Sequence, residues 1–142
     1  MKNLLLLLLL AFMVSCKDDR PDEPLSQDEG KYRNGESYRI SAGDQAINLN
    51  ILKIMESRCS SGVECIWHGY AGVKFEIGIG TETFTDSVFT PGYPHMKLFN
   101  TREFTVNGKT TSVTLKDVTP YPCYQCKNIP PKQEAIIEIK QW

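Results

Sequence analysis

An antiparallel β-sandwich, an all-β fold, is what this sequence predicts. Beyond residue 31, apolar and polar residues alternate over short runs, and Gly, Pro, Asn and Asp separate those runs. No window carries apolar residues at the i, i+3, i+4 spacing of an amphipathic helix. Seven or eight short strands so spaced suit two packed sheets. Immunoglobulin-like topology is the first expectation and a partly open barrel the second.

Residues 36–40 set Ser37 and Arg39 against Tyr38 and Ile40, a short strand. Residues 46–55 change phase. Ile47, Leu49 and Ile51 share one face while Asn48 and Asn50 point away, and then Leu52 and Ile54 take over around Lys53. A one-residue slip of this kind predicts a β-bulge or a strand that crosses between sheets. Val73, Phe75, Ile77 and Ile79 alternate with Lys74, Glu76 and Gly78, the clearest half-buried strand. Residues 81–89 follow Gly80, with Phe84, Asp86 and Val88 on one face. Asn107-Gly108 stands between 102–106 and 109–115, a strong hairpin signal because both central residues tolerate positive φ. Closing that turn at Val106 and Lys109 sets Phe104 opposite Thr111. The last strand, 135–140, turns Ile137 and Ile139 inward and Glu138 and Lys140 outward.

Ahead of these elements lies a segment of another kind. Lys2 is followed by an apolar run over residues 4–14. As a helix that run would rise about 16 Å, roughly half a bilayer core, so residues 1–15 read as an export signal and not as a permanent span. Met13-Val14-Ser15-Cys16 resembles the bacterial lipobox, with Met where Leu is more usual. The resemblance implies a diacylglyceryl thioether on Cys16, cleavage before it, and acylation of the new amino terminus. Two or more chains, at about 0.8 kcal/mol per buried CH₂, make a lasting anchor. Lys17-Asp18-Asp19 resembles the surface-export tag of Bacteroidota lipoproteins, which implies the outer membrane, with display on the cell surface set against retention on its inner face. Residues 16–31, with Pro21 and Pro24 and one large apolar residue, Leu25, read as lipid anchor and flexible tether. Such a tether spans about 20 Å as a coil and about 45 Å when stretched. Residues 32–142 are then one β-sandwich domain, long enough to bury about two-thirds of its unfolded surface.

Loss of residues 1–15 removes Lys2 alone among charged residues and leaves 15 basic against 17 acidic side chains. No basic field exists to attract nucleic acid. The expected partners are the membrane, through lipidated Cys16, and an envelope protein or an extracellular ligand. No Ser/His/Asp arrangement, phosphate loop or paired-carboxylate context stands out, so the reading is of a non-catalytic binding or structural module with neither cofactor nor metal.

Four cysteines follow Cys16: Cys59, Cys65, Cys123 and Cys126. In an oxidising compartment two disulfides are the default, with three pairings open. Closeness in sequence favours Cys59 with Cys65 and Cys123 with Cys126. On the loop-entropy model these bonds contribute about 2.4 and about 1.9 kcal/mol. The rival reading is a thiol or metal protein that uses Cys123 and Cys126. Against redox chemistry, Pro120, Pro122, Pro130 and Pro131 crowd the C-x-x-C motif, so no helix can follow to lower a thiol pKa. Against a four-cysteine zinc site, the five-residue gap between Cys59 and Cys65 is poor ligand spacing.

Ser57-Arg58-Cys59, followed by Val63-Glu64-Cys65-Ile66-Trp67-His68-Gly69, resembles a pattern of small uncharacterised bacterial exported or lipoprotein domains, departing from it at Ser60 and His68. The resemblance implies a β-rich domain with Cys59 bonded to Cys65. A tight loop would then lead into a strand whose Trp67 packs on the disulfide and the core. Trp67, Tyr121 and Tyr124 are the candidate binding residues. If several of Tyr70, Tyr93, Tyr121, Tyr124 and Trp142 shared one rim, they could stack on sugar rings.

Overall fold

The computed structural model describes residues 29–42, 45–125 and 132–142. Its strands are β1 (Gly30–Arg33), β2 (Ser37–Ala42), β3 (Gln45–Glu56), β4 (Ala71–Ile79), β5 (Glu82–Thr90), β6 (Thr101–Val106), β7 (Lys109–Thr119) and β8 (Glu134–Gln141), with one 3-10 turn at Pro94–Met96. The signal, Cys16 and most of the tether lie outside the described residues. The folded chain begins slightly earlier than the expected boundary at 32, because Gly30 and Lys31 belong to β1. That strand is four residues long with one buried apolar side chain, Tyr32, too short for alternation to reveal it.

Two antiparallel four-stranded sheets form the sandwich, in the orders β1-β8-β7-β6 and β2-β3-β4-β5. The immunoglobulin-like order is not the one found. That order sends sequence neighbours into different sheets. Here consecutive strands stay paired within a sheet, β2 with β3 from Ala42 opposite Gln45, β4 with β5 across Gly80 and Thr81, and β6 with β7 across Asn107 and Gly108. Within each sheet sequence neighbours pair, β1 pairs with β8, and the chain changes sheet only between β1 and β2 and between β5 and β6. The result is a flattened up-and-down barrel whose ladder is interrupted at two seams, β1/β2 and β5/β6, closer to the partly open barrel.

The core is one cluster fed by both sheets. Ile47, Leu49, Ile51, Val73, Phe75 and Ile77 come from one, and Val113, Leu115 and Ile137 from the other. Phe75 meets Phe104 edge-to-face across the sheets, with centroids 6.1 Å apart. At the β5/β6 seam Phe84 lies 5.1 Å from Phe104, and Arg102 pairs with Asp86 at 3.2 Å. At the β1/β2 seam Tyr32 and Tyr38 meet edge-to-face at 4.8 Å, and the Arg33 N–H donates to the Tyr38 hydroxyl at 2.9 Å.

The phase slip in β3 is a β-bulge between Ile51 and Lys53. Leu52 is the extra residue and is 45% exposed, so it does not join Ile54 in the core. A second bulge, between Leu115 and Asp117, carries β7 on to Thr119, past the expected end at 115. Its signal is the same slip, from Leu115 to Val118, hidden by Lys116-Asp117, which read as a loop. The Asn107-Gly108 turn has φ of 53° and 77°, and it sets Phe104 opposite Thr111 as expected.

Candidate functional site at the loop end of the sandwich

The three long connections, 57–70, 91–100 and 120–133, all leave the same end of the sandwich. Among the described residues the turns at Gly80-Thr81 and Asn107-Gly108 lie at the other. The site is built from these loops upward.

The loop after β3 begins as a continuation of the ladder, with Ser57 N–H donating to Tyr70 O and Cys59 N–H to His68 O, both at 2.9 Å. Gly69 sits in that neck with φ of 71°, and a Cβ there would meet Ser57 O at 1.9 Å, so only glycine fits. The Cys59–Cys65 disulfide closes the tip, with Cα atoms 6.0 Å apart. Ser61 then donates its N–H to Pro122 O at 2.9 Å, stitching this loop to the one after β7. Cys123 on that second loop is also in a disulfide, and Cys126, its expected partner, lies outside the described residues. Cys59, Cys65 and Cys123 therefore present no thiolate.

Arg58 is the hub. Its side chain is only 6% exposed. Nε and Nη2 donate to the Glu56 carboxylate, Nη1 to Asp117 Oδ1 at 2.8 Å, and Nη2 also to Val118 O. The guanidinium lies over the Tyr121 ring, 4.4 Å from its centroid. Burial pulls its pKa down, but the hydrogen bonds and charges of Glu56 and Asp117 outweigh that, and it stands above the ordinary arginine value. Only a planar fork serves three acceptors and an aromatic face at once.

Beside this hub opens a cavity of about 310 Å³, walled by Arg58, His68, Thr90, Asp117 and Tyr121, with Gly69 and Pro91 between them. The third loop supports its rim. Tyr93 stacks on Trp67 at 5.4 Å and donates its hydroxyl to Gly69 O at 3.5 Å. A second cavity, of about 510 Å³, lies at Arg33, Thr119, Pro120, Lys132 and Glu134, where Arg33 and Glu134 already satisfy each other at 2.7 Å.

Trp67, Tyr121 and Tyr124 all lie on the loops of this end and are 45%, 51% and 75% exposed. Tyr121 walls the cavity, Trp67 adjoins its lining residue His68, and Tyr124 makes no ring contact with either. The expectation that Trp67 enters a strand and packs on the core is corrected. The neck uses residues 57–59 and 68–70, which leaves Ile66 and Trp67 at the tip, and β4 starts only at Ala71. Sequence reasoning did not find the Arg58–Asp117 pair or the Trp67–Tyr93 stack. The only signal for the first was a charged residue between the end of β3 and a disulfide cysteine.

Comparison with protein-family models, with curated proteins and with solved structures finds no match.

Proposed function

We propose that this chain is a cell-envelope lipoprotein, held on the outer membrane through lipidated Cys16, whose sandwich is a non-catalytic binding module that works through its loop end. The observation that carries the reading is the asymmetry of the molecule. Among the described residues four of the five exposed aromatic side chains, Trp67, Phe99, Tyr121 and Tyr124, lie on three loops at one end, with Trp142 at the other beside Thr110, and a disulfide, the Arg58 hub and the Ser61–Pro122 hydrogen bond hold two of those loops in place. Loops positioned by a rigid scaffold are where binding residues concentrate. Pre-ordering them lowers the entropy lost on association.

The direction of β1 fits an anchor. It runs toward the loop end, so Gly30 stands at the opposite end, the side on which a tether from Cys16 would join the domain. The partner is an envelope protein or an extracellular ligand.

Metabolic labelling with a palmitate analogue tests the anchor: label should appear in the native chain and vanish in Cys16→Ser. Cross-linking on intact membranes tests the placement. Trp67→Ala, Tyr121→Ala and Tyr124→Ala together should abolish the partner adducts while the denaturation curve stays unchanged. Retention of every adduct refutes the placement. A thiol count on the denatured, non-reduced protein separates the rival, since two free thiols at Cys123 and Cys126 would favour a thiol or metal protein.

A further inference from the structure

We infer that the cavity beside Arg58 is a subsite for one neutral, polyhydroxylated ring, a hexose unit of a glycan. The inference rests on the binding-module reading and names its ligand class.

Size is the first constraint. At about 310 Å³ the cavity stands at the small end of ligand sites, roughly 300–1,000 Å³, which suits one ring and not a peptide segment. The second is the aromatic wall. Arg58 covers one face of Tyr121, and the ring is otherwise half exposed. A rigid amphipathic ring with one free face stacks on the C–H face of a sugar and keeps its hydroxyl for a hydrogen bond.

Polar groups supply the third. Asp117 Oδ1 is taken by Arg58 Nη1 at 2.8 Å and by the Val118 N–H at 2.7 Å, while Oδ2 accepts no hydrogen bond among the described residues. The His68 imidazole and the Thr90 hydroxyl, the latter 3.5 Å from Lys116 O, add groups that can donate or accept. Sugar hydroxyls, which do both, match such a mixed set.

Charge is the fourth. Arg58 with Glu56 and Asp117 leaves one negative charge, which repels phosphate, sulfate and carboxylate. A cation on the free face of Tyr121 would share the ring with the Arg58 guanidinium already stacked on it. A neutral ligand meets neither opposition. The Trp67–Tyr93 stack, adjoining His68, offers a second apolar surface for the next unit of a chain.

The test is an array of neutral oligosaccharides (gluco-, manno-, galacto- and xylo-oligomers) beside acidic ones and basic peptides, probed with the mature chain and followed by calorimetry on the best binder. Neutral oligomers should bind, with Tyr121→Ala weakening the interaction at least tenfold and Tyr121→Phe keeping it within about threefold. Thermal melts of both variants should match the native protein. Binding of acidic oligomers or basic peptides alone, binding of nothing, or full affinity in Tyr121→Ala would overturn the inference. If the array fails but the Trp67/Tyr121/Tyr124 variant still loses its membrane adducts, the binding-module reading stands and the glycan subsite does not.

Discussion

Gly69 shows how one missing side chain holds the loop end in place. Its positive φ and the 1.9 Å approach of a Cβ to Ser57 O oppose any substitution. Gly69→Ala should cost about 2–4 kcal/mol in urea denaturation or open the neck, seen as fast amide exchange at Ser57 and Cys59. Arg58→Lys keeps the charge and loses the fork. An ammonium cannot serve Glu56, Asp117 and Val118 O together, so this variant should lose about 1–2 kcal/mol and release Tyr121 from its stack. A change below about 0.5 kcal/mol would show that Arg58 is not the hub. At this scale the sequence was half legible. Aromatics beside disulfide and proline turns marked Trp67, Tyr121 and Tyr124 as candidates, but Trp67 was expected on the core and stands instead at a loop tip. Arg58 finds Asp117 across 59 residues, a pairing set by the sheets, and nothing local announces it.

Strands were legible where one face is buried, because alternation then records the pleat, as in β4 and in the β6–β7 hairpin. They were illegible where burial is slight or the phase breaks, as in β1 and the far end of β7. The β3 bulge lies between those cases. The slip was visible, but which residue fell outside was not, since Ile51 and Leu52 are equally apolar. Burial separates them. Ile51→Ala should cost about 2–5 kcal/mol by transfer and cavity terms, whereas Leu52→Ala should cost less than about 1 kcal/mol. Equal losses in denaturant midpoint would place the bulge elsewhere. For the 57–70 loop, replacing Cys59 and Cys65 by serine should remove about 2.4 kcal/mol and leave unfolding cooperative, because the bond closes a loop outside the core.

Strand order alone would allow a closed barrel, and the ladder nonetheless breaks at two places. Side chains bridge both breaks, and the bridge at β1/β2 contains a titratable group. The Tyr32 phenol is pushed up to about 12, first by burial and then by the charge of Tyr38. Folding thus favours its protonated form. The stability this contributes is complete below the ordinary tyrosine pKa of 10.0 and is lost as pH rises toward about 12. Ionisation at this seam places charge beside the Tyr38 ring, 4.8 Å away, where among the described residues no strand pairing joins β1 to β2. Urea midpoints of the native chain should therefore fall between about pH 10 and pH 12, and those of Tyr32→Phe should fall less, since the edge-to-face ring remains and the ionising oxygen is gone. Absorbance at 295 nm should lose its latest tyrosine step in the same variant. Parallel decline of the two proteins would mean that the β1/β2 seam does not set the alkaline limit of the fold.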